Sequence, residues 1–344
     1  MEAAAAAEQL GDVALPERVG ERVVSRLVEL RSIFATDLAH VEAELASASS
    51  SGQEPATKAA QHLLMAGGKR IRPLCVLLSA ACFGRVPRVA RELAIVAELV
   101  HLATLLHDDV IDDADVRRGA VAARRVWGNA VSVLAGDLLL THALERAAAA
   151  APGATTTELL STLRKLVDGE VVQLRGRAGA LASEATYFEI VEHKTASLFS
   201  WAARAGARAA GATEHDVAML GDVGRHVGIS FQLVDDALDY AGDADKTGKA
   251  LLADLREGKL TLPLIVALEA DPNLANDVER ARAGDDGAAM GLLAGVRAAR
   301  GAELTRARAE RHTRNALSAL ASLPPSPARE LLAMLSTELT SRAE

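Results

Sequence analysis

Aromatic side chains are scarce in this chain of 344 residues: they make up 3% of it, and only two are tyrosines. Strands are usually enriched in aromatic and β-branched residues. The shortage, set against abundant Ala and Leu, therefore argues against a sheet-built core and for an all-α fold. Cysteine is nearly absent too. Cys75 and Cys82 lie seven positions apart on one helical face, as either a metal pair or small core residues. There is no excess of positive charge; the net charge of -8 excludes a general nucleic-acid binder, which needs a basic face. No apolar run reaches the roughly 20 residues that span a bilayer, so no transmembrane segment is expected. The start, MEAAAAAEQ, carries acid where a secretory leader would be basic and apolar, and with reduced thiols it points to the cytoplasm.

What is present is enough apolar matter for a large core, 50% of the residues. Residues Met1 to Pro16 read as a flexible Ala-rich tail with no partner face, and residues 17–344 as a single all-α domain. Breaks fall at Ser47 to Pro55, Gly67 and Gly68, Gly84 to Pro87, Ala151 to Thr157 and Gly176 to Ser183. Further breaks follow at Gly242 to Gly248, Asp271 to Asn276, Gly284 to Gly287 and Pro324 to Pro327. They divide the chain into a bundle of about ten or more helices, with no alternating strand of convincing length.

One acidic pattern occurs twice: Asp108, Asp109 and Asp112 in LLHDDVIDD, then Asp235, Asp236 and Asp239 in FQLVDDALDY. At about 100° per residue, the first and last acid of each set lie one turn apart on one helix face. A single such cluster is often just a solvated acidic surface. Both copies here sit among leucines and valines, where carboxylates repel one another and resist burial unless a cation neutralises them. Hard oxygen ligands suit Mg²⁺, and Mg²⁺ implies a phosphate-bearing substrate.

Basic residues stand where phosphate needs them. Gly67, Gly68, Lys69, Arg70, Ile71, Arg72 and Pro73 form a turn with Pro near a helix start. Arg117 and Arg118 follow the first cluster in DVRRG, with forks that match phosphate oxygens. Lys194 and Thr195 in EHKTASL, Gln232 before the second cluster, and Lys249 and Lys259 in TGKALLADLREGKLTLP add donors, though each taken singly reads as surface.

GGKRIRP, HDDVIDD with RRG, HKTASL, FQLVDDALDY and DLREGKLTLP, in that order between about Leu27 and Pro263, resemble the trans-isoprenyl diphosphate synthases, or polyprenyl synthetases. The resemblance implies an all-α fold round a central cavity, a homodimer, and head-to-tail condensation of isopentenyl diphosphate with an allylic diphosphate. It also implies that Asp108, Asp109, Asp112, Asp235, Asp236 and Asp239 hold about two to three Mg²⁺ ions on the allylic diphosphate. Arg117, Lys194, Gln232 and Lys249 would assist there, with Thr195 and Lys259 as further donors to substrate. Lys69, Arg72, His101 and Arg118 would form the isopentenyl diphosphate pocket. A helical wheel places His101 two turns before Asp108 on nearly the same face, a position that a satisfied core histidine also fits. Where the family reads GKPxGxD, this chain has Lys249, Ala250, Leu251, Leu252, Ala253 and Asp254, a change that reshapes the loop expected to close over the diphosphates.

Short-chain members of that family carry an aromatic four or five residues before the first Asp; here those positions are Thr104 and Ala103, both small. The expected product is therefore a medium or long all-trans polyprenyl diphosphate of about seven or more isoprene units, with residues from Leu138 to Leu144 deeper along the tunnel. The alternatives are a short-chain, geranylgeranyl-type synthase and a noncatalytic subunit of a heteromeric synthase, although such subunits typically lose an acidic cluster and both are intact here. A terpene cyclase has no second diphosphate to bind and no need of GGKRIRP.

Overall fold

The computed structural model describes residues 32–177, 183–241 and 252–341. The tail to Pro16, the break at Gly242 to Gly248, and Lys249 lie outside these residues. Helices α1 (Ala35–Ser50), α2 (Ala56–Met65) and α3 (Ile71–Ala81) lead into α4 (Arg88–Ile111). Every residue from Leu93 to Val100 of α4 is buried, so this helix is packed on all sides and runs through the middle of the bundle. A short hairpin follows, β1 (Val116–Arg117) and β2 (Ala120–Val121), and α5 (Ala123–Trp127) turns the chain into α6 (Asn129–Ala150), which packs back along α4.

Next come α7 (Ala154–Arg177), α8 (Glu184–Val191), a π-helical turn (Glu192–Ala196), α9 (Ser197–Ala209) and α10 (Glu214–Ala241). The remainder is α11 (Ala253–Arg256), α12 (Leu262–Ala270), a 3₁₀ turn (Pro272–Leu274), α13 (Ala275–Arg282), α14 (Asp286–Ala298), α15 (Gly301–Leu320) and α16 (Pro327–Thr340). The fold is all-α, and most of the expected breaks coincide with helix ends. The chain also breaks at the hairpin, at Gly128 between α5 and α6 and at Gly211 between α9 and α10, where φ is +83° and +79°. Helix α3 starts at Ile71, ahead of Pro73. Pro is tolerated in a first turn because its missing N–H would have had no intrahelical partner.

The main core joins α1, α3, α4 and α9, and Cys75 and Cys82 belong to it as small apolar residues. Burial pushes their thiols up to about 12 and about 11, which leaves them inert. Two glycines allow the π-helical turn to be wedged between helices. A Cβ on Gly169 of α7 would stand 3.0 Å from the Lys194 nitrogen, and one on Gly228 of α10 would stand 2.7 Å from the Ala196 Cα. Among the described residues no helix is long and apolar enough to cross a membrane.

Candidate active site

The first acidic cluster lies at the C-terminal end of α4, with Asp108 and Asp109 in the last turn and Asp112 capping it. Helix carbonyls there add negative potential, so the demand for a cation exceeds what three carboxylates alone create. Arg117 donates from Nε to Asp109 Oδ1 at 2.6 Å, while the other oxygen of Asp109 is buried with no hydrogen-bond partner among the described residues. Lys194 stands 3.5 Å from Asp108 and also pairs with Glu170. Lys259 lies 2.8 Å from Asp112 and 2.5 Å from Glu257.

Burial pushes the Asp108 carboxyl above its ordinary range against the pull of Lys194, and Glu170 and Asp112 push the same way. Burial likewise raises Asp109 despite Arg117. Among the described residues no three acids or imidazoles already form a metal cage. Instead three basic side chains hold the cluster's charge. Hard oxygens, excess negative charge and the orphaned Asp109 oxygen fit Mg²⁺.

The second cluster lies near the end of α10, where Asp235 is exposed and Asp236 is buried. Each Asp236 oxygen takes one donor: Tyr187 donates its hydroxyl to Oδ2 at 2.5 Å and Gln232 donates from Nε2 to Oδ1 at 2.7 Å, which leaves further lone pairs on the carboxylate. Gln232 in turn accepts at Oε1 from the Thr195 hydroxyl, 2.9 Å away. Burial, with the Asp254 charge behind it, pushes Asp236 up to about 8 even though both hydrogen bonds work against the rise. Asp239 accepts from the Asp254 nitrogen at 3.3 Å. Both clusters open on one cavity of about 190 Å³, lined by Asp108, Asp112, Lys194, Thr195, Gln232, Asp236 and Lys259 among others. The π-helical turn matters here because it carries both Lys194 and Thr195, which line that cavity.

A third group gathers round His101. Burial holds this imidazole well below its ordinary pKa, and Arg72, Arg118, Arg70 and Arg117 press it further down. The Arg72 guanidinium sits 4.7 Å above the Phe199 ring, with Nε buried and unpartnered. Arg118 occupies the hairpin turn at φ +52°, followed by Gly119 at +78°, the mirror-image turn that two-residue hairpins favour, and it donates to the Gly67 carbonyl. Lys69 is exposed on the adjoining loop. Such surplus positive potential round a neutral imidazole suits an anion.

Arg70, from the same basic segment, is turned inward. It donates to both oxygens of Glu42 at 2.7 and 3.0 Å and to Glu98 at 2.9 Å. Ala103 is packed into the core, and Thr104, partly exposed, donates to the His101 carbonyl at 2.8 Å.

Glu170 and Tyr187 lie outside the motifs, and Asp254, the last residue of the altered loop segment, stands behind Asp236 and Asp239. A signal for Tyr187 did exist. The chain has two tyrosines, and both are buried at the second cluster, Tyr187 on Asp236 and Tyr240 beside Asp239.

The polyprenyl synthetase family matches residues 53–290. The octaprenyl diphosphate synthase of Escherichia coli (strain K12) is 35% identical over 309 residues, covering 89% of this chain and 96% of that protein. The short chain isoprenyl diphosphate synthase of Methanothermobacter thermautotrophicus is 34% identical over 292 residues, covering 82% and 89%. The solved polyprenyl synthase from Caulobacter crescentus CB15, complexed with calcium and isoprenyl diphosphate, superposes with a TM-score of 0.86 at 36% identity, covering 96% of this chain and 100% of that one. A family match over more than half of the chain, on a fold shared with a solved member, leaves one conclusion: the chain belongs to the polyprenyl synthetase family.

Proposed function

We propose that this prenyltransferase is a Mg²⁺-dependent synthase that joins isopentenyl diphosphate head-to-tail to an allylic diphosphate and makes a medium or long all-trans product. The observation that carries the reading is the convergence of both acidic clusters on one cavity, with a separate group of cations round His101. Asp108, Asp109, Asp112, Asp235, Asp236 and Asp239 hold the metal in this reading. Bound Mg²⁺ supplies charge neutralisation to the diphosphate as it leaves. Lys194, Arg117 and Lys259, now paired with carboxylates, are at hand as donors to diphosphate oxygens, with Gln232 and Thr195 beside them; the same role is proposed for Lys249 from its motif alone. Lys69, Arg72, His101 and Arg118 seat isopentenyl diphosphate.

Breaking the allylic C–O bond leaves a carbocation, so donors on the leaving group act more strongly in the transition state than in the ground state. The isopentenyl double bond attacks that cation, and the departing diphosphate takes the proton. Relatives of nearly equal identity are named for short and for octaprenyl products, so identity does not set the length; small Ala103 and Thr104 support a long one. A homodimer in the cytoplasm fits an exposed apolar stripe of Leu160, Val167, Val171 and Leu174 on α7, together with two free thiols.

The test is to incubate the purified chain with labelled isopentenyl diphosphate, primers of several lengths, and Mg²⁺ or a chelator, then size the dephosphorylated products. Turnover by the chain alone removes the noncatalytic-subunit alternative. No turnover with any primer sinks the proposal.

A further inference from the structure

Tyr187, Asp236, Gln232 and Thr195 form one continuous chain of hydrogen bonds that ties α8, α10 and the π-helical turn together along a wall of the cavity. Its donors point inward from both ends to Asp236. Thr195 gives its proton to Gln232, and Gln232 gives one amide proton to Asp236 and keeps a second. Tyr187 closes the chain at the last carboxylate oxygen. A buried carboxylate oxygen is a strong acceptor that draws in water wherever a partner is missing and room exists. Here there is room, about 190 Å³ of it, and Tyr187 is almost fully buried with its ring packed edge-on against Phe188.

We propose that Tyr187 is a positioning residue that satisfies Asp236 with a protein hydroxyl in place of water, and so keeps the cavity dry at the point where an allylic cation forms. The inference rests on the condensation proposed above. Once the C–O bond breaks and diphosphate leaves with the electron pair, the cation has two fates. It accepts the π electrons of isopentenyl diphosphate and then loses a proton, forming a C–C bond. Otherwise it accepts a lone pair from water, which loses a proton to diphosphate and yields a prenyl alcohol. Tyr187 selects the first fate by denying water the place at Asp236 Oδ2.

The experiment measures diphosphate released per C–C bond formed, with reaction in H₂¹⁸O to mark alcohol made by the enzyme. In the wild type the ratio is one. In Tyr187→Phe, which keeps the ring and loses only the hydroxyl, the ratio rises about twofold or more and the alcohol carries the heavy oxygen. Replacing Tyr187 with 4-aminophenylalanine restores a donor and brings the ratio back towards one. A slow Tyr187→Phe enzyme that still releases one diphosphate per bond overturns the proposal, because a merely structural loss lowers rate without changing the partition. If that variant does not fold, Gln232→Leu frees the other Asp236 oxygen, and a ratio of one there overturns it equally. A chain that makes no C–C bond even as wild type refutes the condensation reading instead.

Discussion

Two arginines two positions apart do different work. Arg70 is buried and bonds two carboxylates, Glu42 and Glu98, the second as deeply buried as itself. Arg70→Ala strands those charges, and the expected loss of stability is about 3 to 5 kcal/mol, read by chemical denaturation. Among the described residues Arg72 makes no such pair; it lies on Phe199, and burial lowers its pKa against the more distant pull of Glu98 and Asp235. Arg72→Ala is expected to raise KM for isopentenyl diphosphate by tenfold or so with a smaller change in stability, since it removes a ligand contact of about 1.5 to 3 kcal/mol. Equal effects of both variants on KM would show that the inward turn of Arg70 is not what separates them. Nothing in the string GGKRIRP distinguishes the two. The distinction comes from the backbone, where Arg70 takes φ +52° and swings its side chain toward α1 and α4. The acidic clusters were legible because six carboxylates at helical spacing among apolar residues have few other uses. For them the expected outcome is that Asp108→Ala and Asp235→Ala each lower kcat by orders of magnitude at saturating Mg²⁺.

At the scale of elements, the sequence pattern located helices well, because apolar periodicity and Gly or Pro breaks are local signals. It did not show that α4 ends at its acidic cluster, since Asp112 and Asp113 carry no stop signal, and it did not show the hairpin, whose strands are two residues each. The π-helical turn is likewise unreadable from EHKTA; it depends on Gly169 and Gly228 in other helices letting the chain come close.

One contact between elements sets a pH dependence. His226 of α10 and His312 of α15 meet Nδ1 to Nδ1 at 2.9 Å, with Phe188 of α8 stacked on His312. Asp222 and Arg225 of α10, Glu192 of the π-helical turn and Arg311 of α15 surround the pair. Burial, then the neighbouring His226 and Arg225, lowers His312 from 6.5 to about 4, and burial with Arg225 lowers His226. Both folded values lie below the unfolded one, so the stabilisation is present above pH 6.5 and is lost as pH falls towards about 4. His312→Phe should therefore give a shallower fall in melting temperature across that window than the wild type. Parallel curves would show that the pair does not contribute.

For the whole molecule the open question is where a growing tail goes once it passes the first cluster. The described residues put Ala103 and Thr104 on the central helix below Asp108, but in different surroundings. Ala103 is 1% exposed and already enclosed by core side chains, whereas Thr104 keeps part of its surface open. A ring added at Ala103 must displace packed neighbours, so Ala103→Tyr is expected to cost about 1 to 3 kcal/mol of stability. A ring at Thr104, where part of the surface is open, would stand in the path proposed for a long tail. Thr104→Tyr should shorten the product to about three or four isoprene units while condensation continues, because no diphosphate ligand is touched. The double variant should shorten it at least as far. Chromatography of the dephosphorylated products decides the matter. Wild-type lengths in all three variants would place the floor elsewhere, in the stretch Leu138 to Leu144 of α6, which packs along the same helix.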